Sequence, residues 1–231
     1  MPPPLLTSPE RDSRDQSLLL QAAGTVTLDM GRPAKFNDDV ILDATAEAIA
    51  RDGPARATVA SIAAAVGAPS GSIYHRFDSR DLMFARLWIR TVRRSQPGFI
   101  EALADPDLHA AARNAVLHVP RWSRSHLSEA MVLLLYRRED LASRWPDELG
   151  GELRDLNVGL IKAYKDYCRR RYGTASRVTL EVARFGLFDI PYAAVRHYLA
   201  AGQPPPARLD ELIATAAASV LDAHDRDAIT T

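Results

Sequence analysis

The sequence predicts an all-α protein of two parts, a small N-terminal helical unit and a larger helical domain. Three observations carry that prediction. Residues 58–77, TVASIAAAVGAPSGSIYHRF, set Ile62, Ala63 and Val66 on one helical face, turn at Gly67, and resume with Ile73 and Phe77 four apart. Residues 37–52 repeat apolar side chains at helical spacing through Val40, Ile41, Ala44, Ala48 and Ile49. Beyond Asp105-Pro106 the chain has no alternating strand segment and no Gly-rich strand-to-helix turn.

Taken in order, residues 1–30 open on a proline cluster and continue with scattered charges, which predicts a disordered extension. Arg32 and Lys35 then form a short basic arm, either a solvated tail or a segment that enters a minor groove. Asn37 is a good N-cap for the first helix, and Asp38 and Asp39 suit its positive end. Asp52-Gly53-Pro54 stops that helix, and Thr58 caps the second. Ala63 is small where two steeply crossing helices approach. Asp78 or Ser79 caps the fourth helix, with Asp81 in its first turn. Leu82, Met83, Phe84, Leu87, Trp88, Ile89 and Val92 cover a wide arc of that helix, while Arg86, Arg90 and Arg93 line the rest. An arc so wide implies packing on two sides, joining the two parts of the molecule.

Further helices are expected over residues 107–119, 123–140, 146–171, 176–200 and 207–224. Pro120 should break or kink the first of these, and Pro191 lies inside the fourth. Gly202-Gln203-Pro204-Pro205-Pro206 reads as a stiff linker. The expected divisions are residues 1–30, 31–80 and 81–231.

The chain carries 29 basic and 29 acidic residues, yet the balance is uneven. Residues 31–95 hold ten basic and seven acidic groups, a net of +3, so attraction to nucleic acid would be local. The single Cys168 excludes an intramolecular disulfide and a cysteine-cluster metal site, and suits a reducing cytoplasm. No run of about 18 apolar residues suggests a membrane span, and the start of the chain has no secretory pattern. A cytoplasmic protein without metal or cofactor is expected.

Residues 58–77 have the grammar of a helix-turn-helix, whose second helix enters the DNA major groove. Ser70, Gly71 and Ser72 are small at the start of that second helix, so the backbone can sit deep and the hydroxyls can meet base edges or phosphates. Arg76 can reach phosphate or only solvent. The blocks GRPAKF, ILDATAEAIARDG, TVASIAAAVGAPSGSIYHRF and DSRDLM, with Gly67, Gly71, the Tyr74-His75-x-Phe77 run and the Ser79-Arg80 pair, resemble the DNA-binding domain of the TetR family of bacterial transcriptional regulators. Pro69 stands where serine is frequent in that family, and Arg80 where lysine is frequent. The resemblance implies an N-terminal three-helix DNA-binding domain and a larger C-terminal ligand-binding and dimerisation domain. It implies that Tyr74 and His75 donate to phosphates, with Thr58 and Arg80 clamping flanking ones. The bland readings are a packing tyrosine and a surface histidine.

The resemblance further implies a homodimer, a double-stranded operator and an unknown small-molecule effector. The sequence supports the dimer independently. Leu209, Leu212, Ile213, Ala216 and Val220 form an apolar stripe on the last helix, and Val178, Val182, Phe185, Val195 and Leu199 lie on the one before it. Candidate effector-lining residues are Trp88, Phe99, His118, Trp122, Met131, Leu135, Tyr136, Tyr164, Phe188 and Tyr192, a set suited to a mostly apolar ligand. His118, Asn157 or Arg121 could orient it. The bland reading of most of these is core. The expected function is a regulator, a repressor released from a palindromic operator by its effector. The rival readings are a ligand-free interaction scaffold and a helical enzyme. Against the enzyme, the sequence has no nucleophile elbow, phosphate-binding Gly-rich loop, His-Glu-x-x-His or paired-cysteine motif.

Overall fold

The computed structural model describes residues 37–230, and every regular element in that range is helical. The expected extension over residues 1–30 and the basic arm at Arg32 and Lys35 lie outside the described residues. Helix α1 spans Asp38–Asp52; the Asn37 side chain accepts from the Val40 amide at 2.9 Å, and Gly53 ends the helix with φ at +79°. Helix α2 spans Val59–Val66, α3 spans Ser70–Tyr74, and α4 spans Arg80–Leu103. Ser79 caps α4 by accepting from the Leu82 amide at 3.1 Å. Of the two caps the sequence offered there, Ser79 is the one used.

Helices α1 to α3 and the first half of α4 share one core, built on Ile41, Ile49, Ile62, Ile73, Phe77, Met83 and Leu87. That core does not end with the small unit. Val132, Leu141, Leu149, Leu153 and Leu156 from much later in the chain close it. Farther along α4, Phe99 and Leu103 belong to a second core with Val116, Tyr167, Cys168, Leu187 and Leu221. The apolar arc from Leu82 to Val92 lies on the first core throughout, between the early helices and those later leucines, and Phe99 and Leu103, beyond the arc, reach the second.

The later helices depart from the expected spans for definite reasons. Helix α5, Leu108–Ser125, runs through Pro120 and ends at His126, where φ is −135°. Proline costs it one backbone bond, and burial of Val116, Leu117, Pro120 and Ser123 on either side offsets that. The single helix expected over 123–140 is two, α6 at Leu127–Val132 and α7 at Arg138–Arg144. The apolar run between them serves two masters: Leu133 and Leu135 pack on the first core and Leu134 on a third, small core with Ala130, Val195 and Leu199. One straight helix cannot do both. Likewise 146–171 divides into α8, Pro146–Asp155, on the first core, and α9, Val158–Tyr172, on the second. Helices α10, Arg177–Arg184, and α11, Ile190–Ala200, are joined by a π-helical turn at Phe185–Asp189. The wider turn sits just before Pro191 and absorbs its missing donor. Gly186 in that turn lies against α12, Leu209–Thr230, so closely that a Cβ there would stand 3.0 Å from Leu221. Arg124 of α5 forms a two-pronged pair with Asp210 at 2.8 and 2.9 Å, which anchors the start of α12.

Candidate nucleic-acid interface

The α2–α3 pair is organised from inside out. Ile62, Ala63, Ile73 and Phe77 are buried, and they hold the two short helices in one orientation. Thr58 accepts from the Ser61 amide at 3.1 Å while Ser61 Oγ accepts from the Thr58 amide at 3.0 Å, a reciprocal cap that fixes where α2 starts. Gly67 takes the left-handed conformation, φ +67° and ψ +31°, and turns the chain into α3. Pro69 precedes α3 in extended backbone, so it opens the helix without needing an amide donor.

This scaffold leaves Ser70, Gly71, Tyr74, His75 and Arg76 exposed along α3 and its end, with Ser72 half-buried. Tyr74 is 54 % exposed. A Cβ added at Gly71 would meet nothing within 4 Å, so its smallness serves no internal contact and leaves room for something outside the chain. Arg76 is not free: it pairs with Asp38 at the start of α1 at 2.7 Å. Arg80 is engaged internally as well, donating to the carbonyls of Ala57 and Pro54. The phosphate clamp implied for Arg80 by resemblance is therefore occupied by the loop before α2.

Behind the helix pair, α1 is tied to the rest of the molecule by charge. Arg90 of α4 binds Asp39 at 3.0 Å and Asp43 at 2.6 Å. Arg94 lies 3.5 Å from Asp43 and 2.7 Å from the buried Glu129 of α6. The Arg94–Glu129 contact is short but not aligned as a hydrogen bond, so charge rather than directional bonding holds it. Ser128, beside Glu129, donates to Glu47 of α1 at 2.8 Å. The pairings among these groups were not legible from sequence, because partners 35 to 81 positions apart leave no local pattern.

The candidate effector residues do not converge on one chamber. Trp88, Leu135 and Tyr136 belong to the first core or pack on it. Trp122 packs on the third core and stacks on His126 with ring centres 5.0 Å apart. Met131 lies by Gly202. Phe188 and Tyr192 stack at 5.7 Å, with Phe188 on the surface. Phe99, His118 and Tyr164 form a separate group, Phe99 lying 6.4 Å from the His118 ring and 5.7 Å from that of Tyr164. His118 lies over Gly98, where a Cβ would stand 2.6 Å from the imidazole, and its Nε2 is 2.8 Å from the Ser95 carbonyl oxygen. Burial holds its pKa below the ordinary histidine value, against the carbonyl bond that raises it. Burial also pushes the Tyr164 hydroxyl well above the ordinary tyrosine range. An open surface depression of about 440 Å³ adjoins this group, lined in part by Gly98, Glu101, Asn114, His118 and Arg121. Asn157 is turned elsewhere and bonds Gln96 at 2.8 Å.

The expected dimer residues separate by burial. Val195, Leu199 and Ile213 are inside the protomer, at 1 to 3 % exposed. Val178, Phe185 and Leu212 are more than half exposed, at 57, 52 and 66 %. Ala216 is exposed, and Val182, Leu209 and Val220 are half-buried. Among the described residues, no group of three or more His, Cys, Asp or Glu could hold a metal, and no helix is long and apolar enough to cross a membrane.

Residues 41–87 match the sequence model of the family described as bacterial regulatory proteins, tetR family. That span runs from α1 into α4 and contains the helix pair just described. No curated protein matches the chain. Among solved structures, the fatty acid degradation regulator FadR from Bacillus halodurans is similar with a TM-score of 0.61 at 16 % identity, covering 80 % of this chain and 94 % of that one. A TetR transcription regulator from Haloarcula marismortui follows at 0.59 and 17 %, covering 80 % and 96 %. FadR from Bacillus subtilis, in complex with stearoyl-CoA, gives 0.58 and 17 % with the same coverage, 80 % and 96 %. At such identities the likeness is one of fold.

Proposed function

We propose, from this chain's membership of the TetR family of transcriptional regulators, that it binds a palindromic DNA operator as a homodimer and represses transcription until a mostly apolar small molecule releases it. The observation that carries the reading is the α2–α3 pair. Buried Ile62, Ala63, Ile73 and Phe77 present Ser70, Gly71, Tyr74 and His75 outward with no internal task. Ser70 and Ser72 read base edges, and Gly71 permits close approach. Tyr74 and His75 donate to phosphates, and Thr58 sits at the start of α2 beside a flanking phosphate. Arg32 and Lys35 supply a basic arm.

One five-residue recognition helix spans too few base pairs for a specific site, so two are required. The exposed stripe of Val178, Phe185, Phe188 and Leu212 on α10, the π-helical turn and α12 supports a self-complementary interface. Phe188 fits this face better than a ligand chamber. The effector binds in the larger domain around Phe99, His118 and Tyr164, and favours a state in which the recognition helices no longer match successive grooves. Stearoyl-CoA, held by a neighbour of the same fold, is a first ligand to test. Such a regulator works in the cytoplasm and carries out no catalysis.

The test is selection of duplexes from a random-sequence pool by the purified protein. A recovered consensus with two inverted half-sites supports the reading. Recovery of no consensus, or of a single unpaired half-site, rejects it.

A further inference from the structure

Arg80 stands at the start of α4, behind the loop that joins α1 to α2. Its Nε donates to the Ala57 carbonyl at 2.8 Å, and Nη2 donates to the Pro54 carbonyl. Nη1 lies 3.5 Å from a carboxylate oxygen of Asp81, which Arg144 of α7 holds from the other side at 2.8 Å. The guanidinium carbon is 4.6 Å from the centre of the Phe84 ring, and Phe84 is buried. Every nitrogen of the fork is engaged and one of its faces is covered. To meet a phosphate, Arg80 would have to abandon two carbonyls of the loop. Arg56, in that same loop, is in the opposite situation. It is exposed and uses only Nε, on the Asp52 carbonyl at 3.0 Å. Its two terminal nitrogens have no hydrogen-bond partner among the described residues.

We propose that Arg80 is a positioning residue that holds the 53–58 loop against α4, and that Arg56 is the group of this loop that meets the DNA backbone. The inference rests on the DNA-binding reading above. Its physical basis is the shape of guanidinium: a rigid planar fork bridges two carbonyls three residues apart, which a lysine ammonium cannot do in the same geometry. Ala57 is fully buried and directly precedes Thr58, so fixing its carbonyl fixes where the α2 cap begins. Without the bridge, residues 54–57 keep the Arg56 and Ala57 amides on the Gly53 carbonyl, each at 3.2 Å, and Arg56 Nε on the Asp52 carbonyl at 3.0 Å.

The experiment uses the full chain and a duplex it selects from a random pool. Affinity is measured across several salt concentrations for Arg56→Gln, Arg80→Lys and Arg80→Ala. Arg56→Gln should reduce the slope of log affinity against log salt by about one unit. Arg80→Lys should weaken binding roughly tenfold at the wild-type slope, since it keeps the charge and loses the bridge. Hydrogen exchange at the Arg56 and Ala57 amides should quicken in Arg80→Lys, with the Phe77 amide as protected as in wild type. Wild-type affinity in Arg80→Lys, together with a slope lowered by about one in Arg80→Ala, would make Arg80 a phosphate ligand and overturn the inference alone. An unchanged slope in Arg56→Gln overturns it too. Failure of wild type to retain any duplex rejects the DNA-binding reading, and this inference with it.

Discussion

Ser70 and Tyr74 are four positions apart on one short helix, and the proposed function gives them different duties by their chemistry. A serine hydroxyl at the start of a recognition helix can discriminate base edges, while a tyrosine hydroxyl at its end donates to phosphate, which is the same at every sequence. Ser70→Ala and Ser72→Ala should therefore change preference among single-base operator variants by about 1–3 kcal/mol. Tyr74→Phe should weaken all variants alike. Titrations on an operator and its variants check this, and a Tyr74→Phe effect confined to one base would reverse the assignment. His118 offers a second prediction at this scale. Its pKa is lowered in the folded protein by burial, so the unfolded chain binds its proton more readily. Stability from this group is full above the unfolded value of about 6.5 and declines as pH falls below it. Thermal melts from pH 7.5 to pH 5 should show Tm falling in wild type and falling less in His118→Gln, whose amide can still donate to the Ser95 carbonyl. Equal slopes would mean that another group carries the loss.

At the scale of elements, the proposed dimer interface lies on α10, the π-helical turn and α12. Val178 and Phe185 recur seven apart on one face, and Leu212 lies on the neighbouring α12, all exposed in the single protomer. Fully burying such side chains stabilises by about 1.5–3 kcal/mol each, which gives two copies reason to cover them. Phe185→Asp with Leu212→Asp should shift the protein to monomer in light scattering while far-UV circular dichroism is unchanged. A dimer that persists would move the interface elsewhere. The Val195, Leu199 and Ile213 side chains would instead cost stability when truncated, because they fill the protomer's own cores.

Over the whole molecule, the first core joins residues distant in sequence. Leu141, Leu149, Leu153 and Leu156 of α7, α8 and the residue after it complete a core begun by α1 to α4. A fragment of residues 31–103 lacks those side chains and exposes their partners to water. It should hold helical content without a cooperative melt and should bind a hydrophobic dye. A sharp two-state transition in that fragment would show that the small unit folds alone. The same shared core, with the Arg94–Glu129 and Ser128–Glu47 contacts, ties α6 to both α4 and α1.

Local signals were enough for the small unit. Asn37, Thr58, Gly67 and Ser79 mark helix ends by short-range chemistry, so α1, α2 and the start of α4 were legible from neighbours alone. The inward direction of Ile62, Ala63, Ile73 and Phe77 followed from periodicity, and with it the outward direction of Ser70 and Gly71. Only the tertiary structure decided which arginines are available. The sequence singles out Arg76 and Arg80 and passes over Arg56, but Arg76 meets Asp38 across 38 positions and Arg80 meets Pro54 and Ala57 across more than 20. It also decided how the apolar residues after Asp105 divide among three cores, and so where the helices expected over 123–140 and 146–171 must break. Periodicity says that a residue is buried, not against what; the partner is set by chain path, and a long-range contact leaves no mark on the spacing of either strand of sequence that makes it.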